Sequence, residues 1–208
     1  RVKISGNQFV ETTEIESRIQ HLTAESLLSL DLAEMQEIIS GIEFVKSAQI
    51  SRVLLDILYI QIIERNPVVL ISNGDNAVFM EVDGTVLSAA SKSISFYPVP
   101  VITVNSSEGV PESDFNANLI ELLTYMNKDY PLLYQNLSEV KIAEGNLIFI
   151  NDHKTRIFVN SLDLFHQLNI LKEFEKTVYP TRELKDYSYI DLRVKNQVIV
   201  REKRNIRG

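Results

Sequence analysis

The side chains that most often carry catalysis are few in this sequence and are not grouped. The three histidines, His21, His153 and His166, lack the spacing of a metal motif such as His-x-x-x-His. The absence of cysteine excludes thiolate nucleophiles and cysteine metal sites. No serine stands in a Gly-x-Ser-x-Gly elbow, and the seven glycines form neither a phosphate loop nor a dinucleotide fingerprint. The sequence therefore predicts a protein without enzymatic activity, and it predicts neither a metal nor a cofactor.

Two aspartates, Asp75 and Asp83, are the remaining candidates for a calcium site or an acid/base pair. Both stand in strong turn signals, Asn73-Gly74-Asp75-Asn76 and Asp83-Gly84. Asp and Gly are needed in such turns for their backbone conformation and local hydrogen bonding. Turn formation is therefore the favoured interpretation of both residues.

Composition excludes some classes of partner. The 208 residues are 45% hydrophobic and 24% charged, which is ordinary for a globular protein with a sizeable core. The net charge of −7 argues against a general nucleic-acid binder. No apolar run approaches the roughly 20 residues that span a bilayer. Because the chain opens at Arg1, without Met, on a strand-like segment, we expect it to be a piece of a longer protein, and a signal or anchor upstream would lie outside this sequence.

The first part of the chain has the pattern of a small βααββ unit. A strand ending at Gly6-Asn7 precedes two helices that begin at Thr13-x-x-Glu16 and Asp31-x-x-Glu34, which have the form of capping boxes. Gly41 marks the end of the second helix. Strands follow over 44–53 and 57–65. This order predicts a three-stranded sheet covered by two helices, with a domain boundary near Pro67.

The rest of the chain alternates short strands, turns and two helices. One helix is predicted from about Phe115 to Lys128, and a last helix begins with Ser161 as its cap and ends before Tyr179-Pro180. The alternating pattern between them predicts a meander, in which consecutive strands are joined as hairpins. The fold class is therefore α+β, with a β-rich second domain whose mostly antiparallel sheet is flanked by helices.

The end of the chain has the pattern of a sheet edge. Ile190, Leu192 and Val194 alternate with polar residues, and a second apolar run ends at Arg201. A last strand leaves one row of backbone N–H and C=O groups open, and a strand of another protein can pair with that row. The alternative is an edge that its own charges protect from pairing. The residues alone favour the protected edge, because most edge strands never recruit a partner.

The chain resembles the FtsQ/DivIB family of bacterial cell-division proteins along nearly its whole length. The resemblance rests on a set of short motifs in the family's order. These are Ile4-x-Gly6-Asn7, Val45-Lys46-Ser47-Ala48, the strand from Arg52 to Ile62 with its Glu64-Arg65-x-Pro67 close, Val82-Asp83-Gly84, Tyr97-Pro98-Val99-Pro100 and Tyr189-Ile190-Asp191-Leu192-Arg193. It implies a POTRA domain over 1–66, an FtsQ-type β domain over 67–202 and a basic tail over 203–208.

The resemblance also implies a function. Such proteins are non-enzymatic divisome components on the periplasmic face of the inner membrane at the septum, held by a single membrane helix. Their last strand receives FtsB, which acts with FtsL, and carried over by position the receiving strand is 194–202, with Arg193 pairing with an acidic partner residue. The implied partner-binding residues are Arg193, Val194, Asn196, Gln197, Val198, Ile199, Val200, Arg201 and Glu202.

A second family surface, linked with recruitment to the division site, maps to Ile50, Ser51 and Arg52. An ordinary exposed arginine is the alternative interpretation of Arg52. The rival to the whole assignment is a POTRA-bearing transport or outer-membrane assembly protein, which also binds strands at a sheet edge. That class normally has several POTRA repeats or a long membrane barrel, for which 67–202 are too few residues.

Overall fold

The computed structural model describes residues 1–23, 29–53, 57–72, 76–89, 97–103, 113–143 and 146–204. These residues form two compact units, one within 1–66 and one from Pro67 onward. Each unit has its own cluster of buried apolar side chains. No helix among the described residues is long and apolar enough to cross a membrane.

The first unit is the predicted three-stranded sheet with two helices. Its strands lie in the order β1-β3-β2, with β1 parallel and β2 antiparallel to β3. The alternation of β3 places Leu58, Ile60 and Ile62 in the core, where the helices contribute Ile15 and Met35. The elements are β1 Val2–Ser5, α1 Thr12–Thr23, α2 Leu32–Ser40, β2 Val45–Val53 and β3 Ile57–Glu64.

Three motif residues of this unit have structural roles. Gly6 has φ +83°, and a Cβ on it would lie 2.1 Å from the Ile62 carbonyl oxygen. The Asn7 amide donates to the Val10 carbonyl at 3.0 Å. The Glu64 carboxylate accepts hydrogen bonds from the backbone N–H groups of Phe9 and Val10, at 2.9 and 2.7 Å. The Gly-Asn turn and Glu64 therefore fix the segment between β1 and α1 against the end of β3.

Sequence reasoning located one of the three proposed N-caps correctly. Asp31 caps α2, accepting from the N–H groups of Ala33 and Glu34, and Gly41 closes that helix as predicted. The Thr13 cap is wrong, because α1 already begins at Thr12 and the Glu11 carbonyl accepts its first hydrogen bonds.

The second unit contains a nine-stranded mixed sheet in the order β12-β11-β10-β9-β8-β7-β4-β5-β6. Five neighbouring pairs are antiparallel, while β10/β11, β7/β8 and β4/β7 are parallel. The sheet is therefore mostly antiparallel, as predicted. The strands are β4 Val69–Ser72, β5 Ala77–Met80, β6 Val86–Ser88, β7 Val101–Thr103, β8 Leu137–Ala143, β9 Asn146–Asn151, β10 Arg156–Asn160, β11 Tyr187–Asp191 and β12 Ile199–Glu202.

The described helices of this unit are α3 Ser113–Asp129, α4 Pro131–Gln135 and α5 Leu164–Val178. Sequence analysis missed the short α4 and β7. The Ser161 cap is wrong, since Asp163 precedes the first turn of α5 and makes no side-chain capping bond. The Tyr134 hydroxyl on α4 donates to the Val68 carbonyl at 3.0 Å, and burial raises the pKa of Tyr134 to about 12.

The two faces of this sheet differ in burial. Alternate strand residues, such as Phe149, Ile157 and Ile190, are fully buried and share one core with side chains of α3 and α5. The residues between them on β9 to β12 are half-buried or exposed. We use the term open face for the paired side chains in the middle of this second face. They are Ile148, Ile150, Arg156, Phe158, Tyr189, Asp191, Ile199 and Arg201.

Candidate functional site at the edge of the larger sheet

Strand β12 is the first strand of the nine-stranded sheet, and among the described strands it pairs with β11 alone. Its side chains are all exposed, with Ile199 at 41% and Val200 at 37%. An edge strand with exposed apolar side chains is the kind of element that accepts a further strand. The structure thus places five residues of the predicted site, Ile199 to Glu202 and the preceding Val198, on or beside an open edge.

The direction of the β12 backbone groups follows from two hydrogen bonds. The Arg201 carbonyl accepts from Ser188 Oγ at 2.9 Å, and the Lys203 N–H donates to the Asp186 carbonyl at 2.8 Å. Residues 201 and 203 therefore face β11. Because backbone groups alternate along a strand, those of Val200 and Glu202 face the open edge. These two residues are the ones that can pair with an added strand.

The predicted receiving strand, 194–202, begins too early, because the observed strand is Ile199–Glu202. Residues 194–197 form a turn, in which the Gln197 N–H donates to the Val194 carbonyl at 3.1 Å and Asn196 has φ 58°. The chain must reverse between β11 and β12, so these residues cannot continue either strand. For the same reason Val194 does not share the burial of Ile190 and Leu192, and it is 43% exposed.

The far end of β12 is held by charged side chains. Glu202 forms an ion pair with Arg182 at 3.2 Å, and this pair raises the pKa of the Arg182 guanidinium. The Lys203 ammonium donates to the carbonyls of His153 and Lys185, both at 2.6 Å. Sequence reasoning missed Arg182 as well as the role of Lys203, because they meet their partners only in the folded sheet.

Arg193 is already engaged in the unbound chain. Its Nε donates to one oxygen of Asp191 at 2.9 Å and its terminal nitrogen to the other at 2.6 Å, and its backbone N–H also donates to this carboxylate at 3.0 Å. The guanidinium hydrogen bonds lower the pKa of Asp191. The guanidinium carbon also lies 5.0 Å from the centroid of the Phe158 ring. Any other carboxylate would therefore have to compete with Asp191 for Arg193.

The open face has two cross-strand rows. In one row Phe158 on β10 opposes Asp191, which opposes Ile199. In the other, Arg156 opposes Tyr189, which opposes Arg201. The Phe158 and Tyr189 rings are 6.2 Å apart in an edge-on arrangement. No periodicity in the sequence indicated these rows, because β10 and β11 are parallel and α5 separates them along the chain.

The three residues of the second predicted surface lie on β2, which is the edge of the smaller sheet. Ile50 is half-buried against the core, whereas Ser51 and Arg52 are exposed. The Arg52 guanidinium donates to the Leu30 carbonyl. Since strand residues alternate, Ile50 and Arg52 share one face of the sheet and Ser51 lies on the other.

Within the described ranges there is no group of three or more His, Asp or Glu side chains that could hold a metal ion. His153 contacts Asp152 at 2.5 Å on the surface, and this hydrogen bond lowers the pKa of Asp152. Asp83 has the expected turn role, since it accepts from the Thr85 N–H at 3.0 Å. Asp75 and the end of the predicted tail, 205–208, lie outside the described residues.

Comparison with known proteins gives matches over nearly the whole chain. A family model described as "POTRA domain, FtsQ-type" matches residues 1–65, and one described as "FtsQ/DivIB, C-terminal related" matches residues 66–200. A curated "Cell division protein FtsQ" from Koribacter versatilis (strain Ellin345) is 23% identical over 210 residues. The alignment covers 96% of this chain and 58% of that relative, so the chain spans somewhat more than half of the relative's length.

Proposed function

The chain belongs to the FtsQ/DivIB family, and from this premise we propose that it is a non-enzymatic scaffold of the bacterial divisome. It binds FtsB, and FtsL with it, by adding a strand of the partner to β12. In this way it links early division proteins to septal cell-wall synthesis. The observation that carries the proposal is the position of β12, whose outer backbone groups are open along the edge of the nine-stranded sheet.

The geometry of β12 supports separate roles for these residues in the proposed binding. Val200 and Glu202 supply the backbone pairing, while Ile199 and Arg201 present side chains on the open face beside Tyr189 and Asp191. Residues 193–198, which include the turn at 194–197, also contact the partner. Arg193 binds a partner carboxylate that replaces Asp191 as its hydrogen-bond acceptor. Backbone pairing gives affinity without much selectivity, so these side chains select the partner.

The proposal extends to organisation and location. It assigns a POTRA domain to 1–66, an FtsQ-type β domain to 67–202 and a basic tail to 203–208. The full-length protein is anchored by one membrane helix upstream of this chain, which lies on the extracytoplasmic side at the division septum. Ile50, Ser51 and Arg52 on the β2 edge form a second surface, for recruitment to the division site.

The test is a titration of this chain with the extracytoplasmic C-terminal segment of FtsB from the same organism, followed by backbone amide chemical shifts. We expect the largest shifts at residues 193–202, with the amides of Val200 and Glu202 becoming protected from hydrogen exchange. Saturating segment with no shift in β12 would overturn strand addition. Shifts concentrated on β2 instead would assign the FtsB site to the smaller sheet.

A further inference from the structure

The second unit contains a cavity of about 220 Å³. It opens between α4, the turn from β9 to β10, the last turn of α5 and the 3₁₀ turn Leu184–Asp186. None of its lining residues belongs to β12 or to the open face. Sites for drug-sized ligands begin at roughly 300 Å³, so this cavity suits one small group and not a large cofactor.

Part of the cavity wall is apolar. Leu133 and Leu184 line it and are almost completely buried, at 3% and 8% exposure. Leu132 lies beside them and is 63% exposed. An aliphatic group that enters the cavity would cover apolar surface that water now contacts, which favours its binding.

Asn151 presents an unpaired amide group to the cavity. The residue lines the cavity and is 6% exposed. Its Oδ1 accepts from the Thr155 N–H at 2.8 Å, which fixes the orientation of the amide. Its backbone N–H and carbonyl are paired with Thr155 and Lys154. Within the described ranges Nδ2 has no acceptor, so it is the group that this side chain offers to an occupant.

The charged side chains at the rim are already paired. Asp152 lies 2.5 Å from His153, and Glu183 lies 2.7 Å from Lys185. All four residues are exposed. These pairs therefore leave little net charge at the rim for an occupant to neutralise.

Glu175 is the exception among the charged lining residues. It is half-buried on α5, and one of its carboxylate oxygens accepts from the buried Tyr130 hydroxyl. Burial and this carboxylate raise the pKa of Tyr130, so the hydroxyl stays protonated and donates. Glu175 makes no ion pair with any residue that the structure describes. A half-buried carboxylate without a counter-ion is favourable for a cation.

We propose that this cavity binds an α-ammonium group together with the carbonyl next to it, as in an amino-acid amide or the free N-terminus of a peptide. The ammonium donates to Glu175, and the carbonyl accepts from Asn151 Nδ2. The aliphatic side chain of the occupant packs on Leu133 and Leu184. This occupant uses each lining group that has no partner in the chain itself.

Other occupants leave one of these groups unmatched. A guanidinium or a simple amine carries donors alone, so Asn151 Nδ2 would stay without an acceptor. An anion would meet the Glu175 carboxylate. The described residues here include no group of three or more His, Asp or Glu side chains that could hold a metal ion.

The experiment titrates this chain with leucinamide and two matched compounds, followed by amide shifts that include the Asn151 side-chain NH₂. N-acetyl-leucinamide keeps the carbonyl and the side chain but has no charge, and we expect it to bind about tenfold or more weakly than leucinamide. 3-Methylbutylamine keeps the charge but has no carbonyl. It should bind about threefold or more weakly and leave the Asn151 NH₂ unshifted.

A pair of variants assigns the charge to Glu175. Glu175→Gln keeps an acceptor for Tyr130 and removes the charge, so leucinamide should bind about tenfold more weakly. Glu173→Gln on the same helix makes an equal change of net charge at an exposed residue outside the cavity, and it should leave the affinity unchanged. Equal affinities of the two variants would overturn the proposal.

A fourth compound distinguishes the two sources of the group. Leucyl-glycinamide continues beyond the first carbonyl, so binding at least as tight as that of leucinamide identifies a peptide N-terminus, and weaker binding identifies a small amide. The proposal is overturned if leucinamide gives no saturable shift at Asn151, or if N-acetyl-leucinamide binds equally well. Neither result bears on strand addition at β12, which none of these compounds tests.

Discussion

Among single residues, Arg193 differs most from what its sequence motif implies. The motif resemblance implies a partner acid for it, but in the structure its Nε and one terminal nitrogen both donate to Asp191. An exposed pair of this kind contributes little to stability, so exchange between Asp191 and an incoming carboxylate is not costly. The pair keeps the guanidinium oriented beside Phe158.

This pair predicts the pH dependence of Asp191. Hydrogen bonds from Arg193 lower its pKa in the folded state, so the carboxyl should titrate below the ordinary value of about 3.9. A depressed folded pKa means that the pair stabilises the fold above the unfolded pKa, and that this stabilisation is lost as pH falls through the folded pKa. The measurement is the ¹³C shift of the Asp191 carboxyl against pH. Arg193→Gln should move its midpoint upward, and equal midpoints in the two proteins would contradict the assignment.

Gly6 and Gly84 form a matched pair for a stability prediction. Both have φ +83°, but a Cβ on Gly6 meets the Ile62 carbonyl at 2.1 Å whereas a Cβ on Gly84 meets nothing within 4 Å. Gly84→Ala therefore carries the cost of the left-handed backbone alone, about 1 kcal/mol. Gly6→Ala adds a backbone clash, so it should lower the free energy of unfolding by a further 1 kcal/mol or more. Urea unfolding measures both, and equal losses would contradict the clash.

At the scale of elements, β12 combines a fixed inner side with an open outer side. Its inner backbone groups pair with β11, and its end is held by Arg182 and by the Lys203 ammonium. The turn at 194–197 and these end contacts fix the strand before any partner binds. Binding then need not supply the entropy cost of ordering the strand, which favours affinity.

The alternation of β12 predicts opposite effects for two proline substitutions. Val200→Pro removes an N–H that faces the open edge, where proline is tolerated, so the fold should persist and binding of the FtsB segment should fall by about tenfold or more. Ile199→Pro removes an N–H that faces β11 and should destabilise the β11/β12 pairing itself. Circular dichroism and calorimetric titration of both variants separate the two effects. Full affinity in Val200→Pro would exclude backbone pairing at the outer edge.

Elements with strong local patterns were predictable from the sequence. Elements whose position depends on the strands and helices packed beside them were not. The alternation of β3 and the Asp31 cap are local, and both were located correctly. Thr13 and Ser161 also match cap patterns, but tertiary packing sets the helix starts elsewhere. Strand β7 has three residues and follows Pro100, so it has too little periodicity to be recognised.

At the scale of the whole molecule, the order of the strands in the larger sheet could not be predicted from the sequence. The parallel pairing of β10 with β11, across α5, brings Arg156 beside Tyr189. Alternation alone predicted that the last strands form an edge, and this part of the candidate site could be anticipated. The open face could not, because it depends on which strands become neighbours and in which register.

The position of β12 in the chain also has a consequence for biosynthesis. All eight other strands of its sheet precede it in sequence, so it is the last of them to leave the ribosome, and until it docks β11 is the exposed edge. Glu202 at its end and Lys203 directly after it, which hold the strand in place, emerge last of these residues. A nascent or prematurely terminated chain therefore presents the wrong strand, in a different direction and without Val200. Strand addition at β12, as we propose it, would therefore require that synthesis of the domain has passed this last strand.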